Sequence, residues 1–487
     1  RGLAGLVYAG RRRAWGRLGE AAGAAWRRLG EAGQLAVAAG ATGLLFLSAW
    51  WTFEGEAAGL TRRMGDAAPL LLTAFSAGLF YFSPSFIIAL LALAALFVLF
   101  CLRLDLAVAF CAALIPFYLF PRMLWERGAS MLEFLVWLAL GAWLARNARP
   151  ALRRIRQEGL LLGALARRLS GPDWGVAALV AVGAFSLLTA ARQDVAVYEF
   201  RTVFILPAVY YCLLRVTALD ERGLWRVVDF FVLGAAAVAG LGLYQYVTGA
   251  DLIVTEEGVA RIRSVYGSPN NLALYLGRAL PVALAVALAG WPMARWPARR
   301  LLYSLAVFGM GLASVLTFSR GALVLGLPAA LAVILVGWQG RRGALAVAAA
   351  GALVVVALPV LAQAPRFASL FDVQSGTGFF RVNLWVSAWR MFLDHPLLGV
   401  GPDNFLYAYR GFYILPLAWQ EPNLSHPHNL ILDFLSRLGA LGLGAGAWLV
   451  IGLARALWPL SGPAPLRALR LGLLALLADM LAHGLVD

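Results

Sequence analysis

The sequence predicts an all-α fold, a polytopic bundle of about 13 to 14 transmembrane helices with one large extracytoplasmic loop. Three observations predict it. Mean hydropathy is +0.78 over 487 residues, of which 62% are hydrophobic. Only 14% of the residues are charged. Apolar runs of roughly 17 to 22 residues recur along the chain, more than a soluble core needs and matched to the thickness of a bilayer.

The charge balance narrows the class further. The formal net charge of +16 rests entirely on arginine, since the chain contains no lysine. In a membrane protein such an excess marks cytoplasmic loops, so no nucleic-acid partner is expected. Cys101, Cys111 and Cys212 are odd in number, sit in apolar runs and lack metal-ligand spacing, which predicts buried packing rather than a disulfide or a metal site. The first residue is Arg1 rather than Met, so residues are expected upstream and no signal peptide can be judged.

Residues 1–34 form a basic amphipathic segment. Trp15, Leu18, Ala22, Trp26 and Leu29 share one helical face while Arg13, Arg17, Arg27 and Arg28 occupy others, a pattern suited to a membrane surface or to a solvated basic tail. The run Trp-Gly-Arg-Leu-Gly-Glu from Trp15 nearly recurs from Trp26, about three helical turns later, so both copies face the same way.

Residues 35–363 are read as transmembrane helices, with spans near 35–53, 67–82, 84–102, 104–120, 130–145, 174–190, 202–219, 227–247, 270–289, 301–318, 321–338 and 344–363. Residues 431–457 and 467–486 are the C-terminal pair. The loop 146–168 carries seven arginines, and Arg222, Arg226, Arg295, Arg299, Arg300, Arg341 and Arg342 mark later basic loops, all expected on the cytoplasmic side. Alternation then places 191–201, 248–269, Ser319-Arg320 and 364–430 outside. Five candidate spans precede the loop at 146 where an even number is needed, so one piece between 67 and 120 is expected to be re-entrant or a half-span. Asp487 falls outside under this count, which predicts a further helix beyond it.

The segment 364–430 is the expected catalytic loop. Three of the four histidines, His395, His426 and His428, lie between Phe379 and Gly442, with Arg381, Arg390 and Arg410 among them. Phe380, Leu384, Trp385, Ala388 and Phe392 give a helical apolar face, and Pro396 with Gly399-Val-Gly401-Pro402 ends it in a turn. Tyr407, Tyr409, Phe412, Tyr413 and Trp419 suit a membrane interface or stacking on sugar rings.

His426-Pro427-His428-Asn429 opens the helix at 431, with Asn429 or a neighbour as its cap. A neutral imidazole there is placed to accept a proton from a sugar hydroxyl; the blander reading is a histidine satisfied within a turn. Arg320 lies between two apolar runs with almost no loop on either side. Its planar fork suits phosphate oxygens, and a snorkelling helix anchor is the alternative. Arg381 has the same two readings. Arg261 and Arg263, before Tyr266-Gly-Ser-Pro-Asn-Asn271, lie on the same outer side but resemble ordinary loop charges. No phosphate-cradling glycine loop or dinucleotide motif is present, and Glu54-Gly-Glu56 is a weak candidate for a metal-holding acidic pair.

Taken together, Ser319-Arg320-Gly321, Arg381 with Trp385, Asp394-His395-Pro396-Leu397-Leu398-Gly399-Val400-Gly401 with Phe405, and His426-Pro427-His428-Asn429 followed by Gly439 and Gly442 resemble the O-antigen ligase and polymerase superfamily. The stretch Tyr266–Ala273 is similar to another of its segments. These matches cover about 260–445, and hydropathy alone supports the remainder. The resemblance implies a GT-C-like, inverting, metal-independent membrane glycosyltransferase without cofactors. Its donor would be a glycan on undecaprenyl diphosphate, and its acceptor lipid A-core or another lipid-linked glycan. It implies His428, Arg320 and Arg381 as the catalytic set: His428 as base, the arginines neutralising the diphosphate leaving group. Substrate contacts would come from His426, Arg263, Asn271 and Asn429. The expected location is the bacterial inner membrane with the site facing the periplasm. A polymerase of the same superfamily is the nearest alternative. A polysaccharide flippase is disfavoured, because a transporter would place charges along helices at the bilayer midplane, whereas the polar groups here cluster on one face.

Overall fold

The computed structural model describes residues 65–124, 127–158, 169–254, 258–289, 297–361 and 376–487, with scattered residues between 23 and 48. Most of the basic N-terminal segment, most of the expected span at 35–53, the Glu54–Glu56 pair and residues 362–375 of the loop expected outside the membrane lie outside the described residues. The chain divides into two compact units, residues 1–104 with 138–159, and residues 105–137 with 160–487.

In the first unit, α1 (Ala67–Phe82) and α2 (Phe86–Leu102) pack together across Ser83-Pro84-Ser85, where proline stops one helix and starts the next. Leu96 and Phe100 are fully buried there, and Phe97 lies against Gly141. Arg103 Nη2 pairs with Asp66 Oδ1 at 2.7 Å.

The second unit holds the candidate site. After α3 (Leu104–Leu114), an antiparallel hairpin of β1 (Pro121–Leu124) and β2 (Arg127–Ser130) leads into α4 (Met131–Glu158), of which residues 138–158 belong to the first unit. Then come α5 (Gly171–Ser186), α6 (Gln193–Val216, with a π turn at Phe200–Ile205) and α7 (Glu221–Thr248). A second short hairpin, β3 (Ile253–Val254) with β4 (Ala260–Arg261), precedes α8 (Pro269–Leu288) and α9 (Pro297–Leu316). The series continues with α10 (Gly321–Gln339, opening on a π turn at Gly321–Gly326), α11 (Arg341–Leu361) and α12 (Gly376–Asp394). It ends with α13 (Phe405–Ala408, running into a π turn at Tyr409–Tyr413), α14 (Leu430–Leu457) and α15 (Ala464–Gly484). The protein is an all-α polytopic membrane protein. Among the described residues, seven helices are long and apolar enough to cross a membrane: α5 to α10 and α14.

Local chemistry explains where these helices begin. Asp220 accepts from Gly223 N at 2.7 Å, Ser268 from Asn271 N at 3.2 Å and Asn429 from Leu432 N at 3.0 Å, each satisfying a donor that the first helical turn leaves unpaired. Ser170 and Asp173 form a reciprocal capping box at α5.

Packing follows the rules of lipid rather than of water. Hydrocarbon tails are as apolar as leucine, so helices associate through close contact of small residues. Gly175 of α5 lies against the Leu449 backbone, and Gly452 of α14 against Gly171 and Pro172. Helix α8 is the centre of the bundle: Leu272, Leu276, Ala279 and Ala283 are buried against Val232, Ala235 and Val238 of α7 and Met310 and Ala313 of α9. Two arginines expected in basic loops are held by acids on helices, Arg226 by Asp105, and Arg299 by Asp229, whose Oδ1 also accepts from Tyr303 at 2.8 Å. Cys101 and Cys111 are buried as expected, but Cys212 is exposed. An apolar run in a membrane protein marks contact with lipid as readily as burial in protein, and the hydropathy of α6 does not separate the two.

Candidate active site

Three elements meet at the candidate site: the turn 425–429 at the head of α14, the middle of α12, and the end of α15. Two hydrogen bonds fix the turn. Trp385 Nε1 of α12 donates to Pro427 O at 2.9 Å. Asn429, while capping α14 with its Oδ1, donates through Nδ2 to Leu485 O at 3.0 Å. His428 sits between these anchors at φ 50°, a left-handed conformation unusual for a side-chain-bearing residue, and surrounding contacts of this kind are what hold one there.

His428 Nδ1 lies 3.0 Å from Asp487 Oδ1. An ionised carboxylate only accepts, so Nδ1 carries the proton, and in the neutral ring Nε2 is then the acceptor. Arg381 Nη2 approaches the same Oδ1 at 3.8 Å, and His483 Nε2 lies 3.8 Å from Oδ2. Only 6% of the Asp487 side chain is exposed. Burial alone would push its carboxyl up, but the two histidines and Arg381 together hold it well below the usual carboxylate range. The His426 ring lies 4.2 Å from that of His428, and Ser425 Oγ lies 3.1 Å from its Nδ1. Burial, then the neighbouring His428, lowers the pKa of His426 and favours its neutral form.

One turn further into α15, Asp479 and His483 are completely buried. Their carboxylate and ring nitrogens have no hydrogen-bond partner among the described residues. Gly277 and Gly326 leave the space that the Asp479 carboxylate fills, and Gly321 does the same for the His483 ring.

The Gly-Val-Gly turn after α12 forms the frame of the site. Val400 N donates to Ser436 O at 2.9 Å, Gly401 N to Arg437 O at 3.0 Å and Ala440 N to Pro396 O at 2.8 Å, joining the turn to a break in α14. The break is at Gly439, whose φ of 68° and ψ of −168° are open to glycine, and whose missing side chain would fall on the Leu397 backbone. Gly399 is its counterpart, at φ 64° against the Arg437 backbone.

Two cavities open on this frame. A polar one of about 360 Å³ is lined by Asp403, Ser425, His426, Asn429, Leu430, Asp433, Arg437 and Asp487. An apolar one of about 430 Å³ runs between α5, α6 and α14. They share Asp433 and Arg437. Arg437 is held by Glu199 of α6 and by Asp433 at 3.2 Å.

The structure therefore gathers Arg381, His426, His428 and Asn429 around Asp487. Arg320 is exposed at the head of α10, and its neighbour Gly321 packs against His483 and Val486, within a turn of Asp487. Arg263 is paired with Asp251 beside the second hairpin. Asn271 is exposed in the first turn of α8, its backbone N donating to Ser268 Oγ. Neither makes a hydrogen bond to the histidine turn among the described residues. Sequence reasoning did not single out Asp487, His483, Glu199, Asp433 or Arg437. A signal was present for the first two: Asp479, His483 and Asp487 recur every four residues at the end of an apolar helix, one face of titratable groups where lipid disfavours them.

A family model described as O-antigen ligase matches residues 305–447. Over those residues the chain is similar to the O-antigen ligase family. No curated protein matches the chain. The matched stretch contains Arg320, Arg381, His426, His428 and the whole Gly-Val-Gly frame, while Asp479, His483 and Asp487 reach it from α15 beyond its end.

Proposed function

We propose that the protein is an O-antigen ligase that transfers a glycan from undecaprenyl diphosphate to a hydroxyl of lipid A-core at the periplasmic face of the inner membrane. The observation that carries this reading is the His428–Asp487 pair, 3.0 Å apart, with Arg381 beside the same carboxylate. Asp487 holds the imidazole in the tautomer whose Nε2 is unprotonated. The acceptor hydroxyl gives its proton to Nε2 as its oxygen attacks the anomeric carbon. The bond from that carbon to the diphosphate oxygen breaks on the opposite face, which inverts the configuration. Negative charge grows on the leaving diphosphate, and Arg381 with Arg320 neutralises it in place of a metal. His426, kept neutral by burial and by its neighbour, hydrogen-bonds an acceptor hydroxyl, and Asn429 keeps the turn in register. Arg263 and Asn271, which make no hydrogen bond to the histidine turn among the described residues, are assigned to the donor glycan.

The test uses purified protein with undecaprenyl-diphosphate-linked glycan in two reactions, with and without lipid A-core. Glycan on lipid A-core supports the ligase. Longer lipid-linked ladders in its absence support a polymerase of the same family, which the shared frame serves equally well. No product in either reaction overturns the glycosyl-transfer reading.

A further inference from the structure

We infer that His483 is a positioning residue for Asp487, holding the second oxygen of its carboxylate so that the first stays turned towards His428. The inference rests on the glycosyl-transfer reading above and adds a group, from beyond the stretch that matches the O-antigen ligase family, on which the base depends.

The contacts of one carboxylate carry the argument. His428 Nδ1 lies 3.0 Å and Arg381 Nη2 3.8 Å from Asp487 Oδ1, whereas His483 Nε2 lies 3.8 Å from Oδ2. The two oxygens therefore have different partners. His483 is completely buried and cannot touch a substrate, so any part it plays runs through Asp487.

Carboxylate geometry makes the second partner matter. The terminal torsion of aspartate joins a tetrahedral to a planar carbon and has a broad, two-fold profile, so a carboxylate gripped at one oxygen swings easily. An ionised carboxylate only accepts, so the His483 nitrogen facing it carries a proton and donates towards Oδ2 whether the ring is neutral or charged. At 3.8 Å this is a charge and dipole contact, longer than a hydrogen bond. It acts in an enclosure that leaves only 6% of the Asp487 side chain exposed, where a low dielectric strengthens it.

The surroundings fix the ring and leave it polar. Gly321 at the head of α10 walls one edge: a methyl there would fall 2.7 Å from Cδ2 and 2.9 Å from Nε2. Gly484 brings the end of α15 against Leu430 at the head of α14, and Asn429 Nδ2 donates to Leu485 O at 3.0 Å. One turn inward, Asp479 is within electrostatic reach of His483 and of Arg278 on α8, whose guanidinium supplies the compensating charge. Both ring nitrogens of His483 are buried with no hydrogen-bond partner among the described residues. A leucine would fill the same space without stranding them, and polar groups at such places in a membrane protein mark function.

Steady-state kinetics of the full chain, with undecaprenyl-diphosphate-linked glycan and lipid A-core, tests this. His483→Leu is expected to lower kcat about tenfold or more with KM for both substrates unchanged, the pattern of a contact that acts in the transition state. His483→Gln places an amide nitrogen where Nε2 stands and should lose no more than about threefold, whereas His483→Asn, which reaches only the Nδ1 position, should behave like leucine. An Asp487→Ala background separates positioning from mere packing: there His483→Leu should cost no further kcat, because the group it positions is gone. An equal loss in both backgrounds overturns the inference, as does unchanged kcat in His483→Leu, equal activity of the glutamine and asparagine variants, or failure of all three to insert. If only the leucine variant fails to insert, the glutamine and asparagine pair decides. A wild-type protein that transfers no glycan, or full activity in Asp487→Ala, instead defeats the underlying reading.

Discussion

Asp487 accepts from His428 across 59 residues of sequence, at 3.0 Å, and lies just past the end of α15, while His428 stands at the head of α14. Two helix ends therefore meet at one imidazole, and its tautomer is set by a residue beyond the stretch 305–447 that matches the O-antigen ligase family. Asp487→Asn keeps the shape but lets the side chain donate to Nδ1, favouring the wrong tautomer. Turnover is expected to fall by about 10² or more, and His428→Ala to remove it further, on the scale of general-base loss. Steady-state kcat with insertion checked by membrane fractionation measures both. Full activity in either variant refutes the assigned base.

Arg320→Ala and Arg381→Ala are each expected to lower kcat by about 10² to 10³, because each removes charge stabilisation at the leaving diphosphate. Lysine at either position should restore only part of this, since it lacks the planar fork. Transfer is expected to persist in EDTA. Inactivation by the chelator that added metal reverses would show that these arginines do not carry the charge alone.

Acid should loosen the site in two steps. The pKa values of His426 and Asp487 are both lowered in the folded protein, so each contributes stability that is complete above its unfolded value and is lost as pH falls through the folded one. The histidine contribution begins to fade below about pH 6.5, and the carboxylate contribution only at much lower pH, beneath the usual carboxylate range near 3.9. Melting temperature in detergent against pH reports this. A His426→Gln variant should lose the upper step and keep the lower one; an unchanged upper step would assign it elsewhere.

Gly439→Ala is expected to destabilise the protein by about 2 to 4 kcal/mol, combining a left-handed backbone with a side chain forced onto the Leu397 backbone. Yield of folded protein and thermal stability check it. Gly444→Ala, five residues on and with open space around it, should be tolerated.

Much of the helical architecture can be read directly from hydropathy. The expected span at 67–82 coincides with Ala67–Phe82, and 270–289 and 431–457 fall within a residue of Pro269–Leu288 and Leu430–Leu457, because an apolar run bounded by caps and prolines has few other options in lipid. The histidine turn was legible for a similar reason, since Asn429 is a local cap. What stayed hidden is tertiary. Glu199 was expected in an external loop because its span was drawn from 202, yet α6 begins at Gln193 and carries it inward to Arg437. Nothing local in Asp487 announces a partner 59 residues away, and no periodicity foretells the π turns at Phe200, Gly321 and Tyr409, which shift the register of side chains along a helix.

The break at Gly439 also bears on mechanics. Residues 430–438 continue the helix by name, but the Pro396–Gly401 turn is fastened to both sides of the break, to Ser436 and Arg437 before Gly439 and to Ala440 and Leu441 after it, so the joint is stapled across. Bilayers differ in thickness and tilt the spans they hold. A joint stapled on both sides does not flex by itself, so a tilt of the span carries the histidine turn, Asp433 and Arg437 with it as one body.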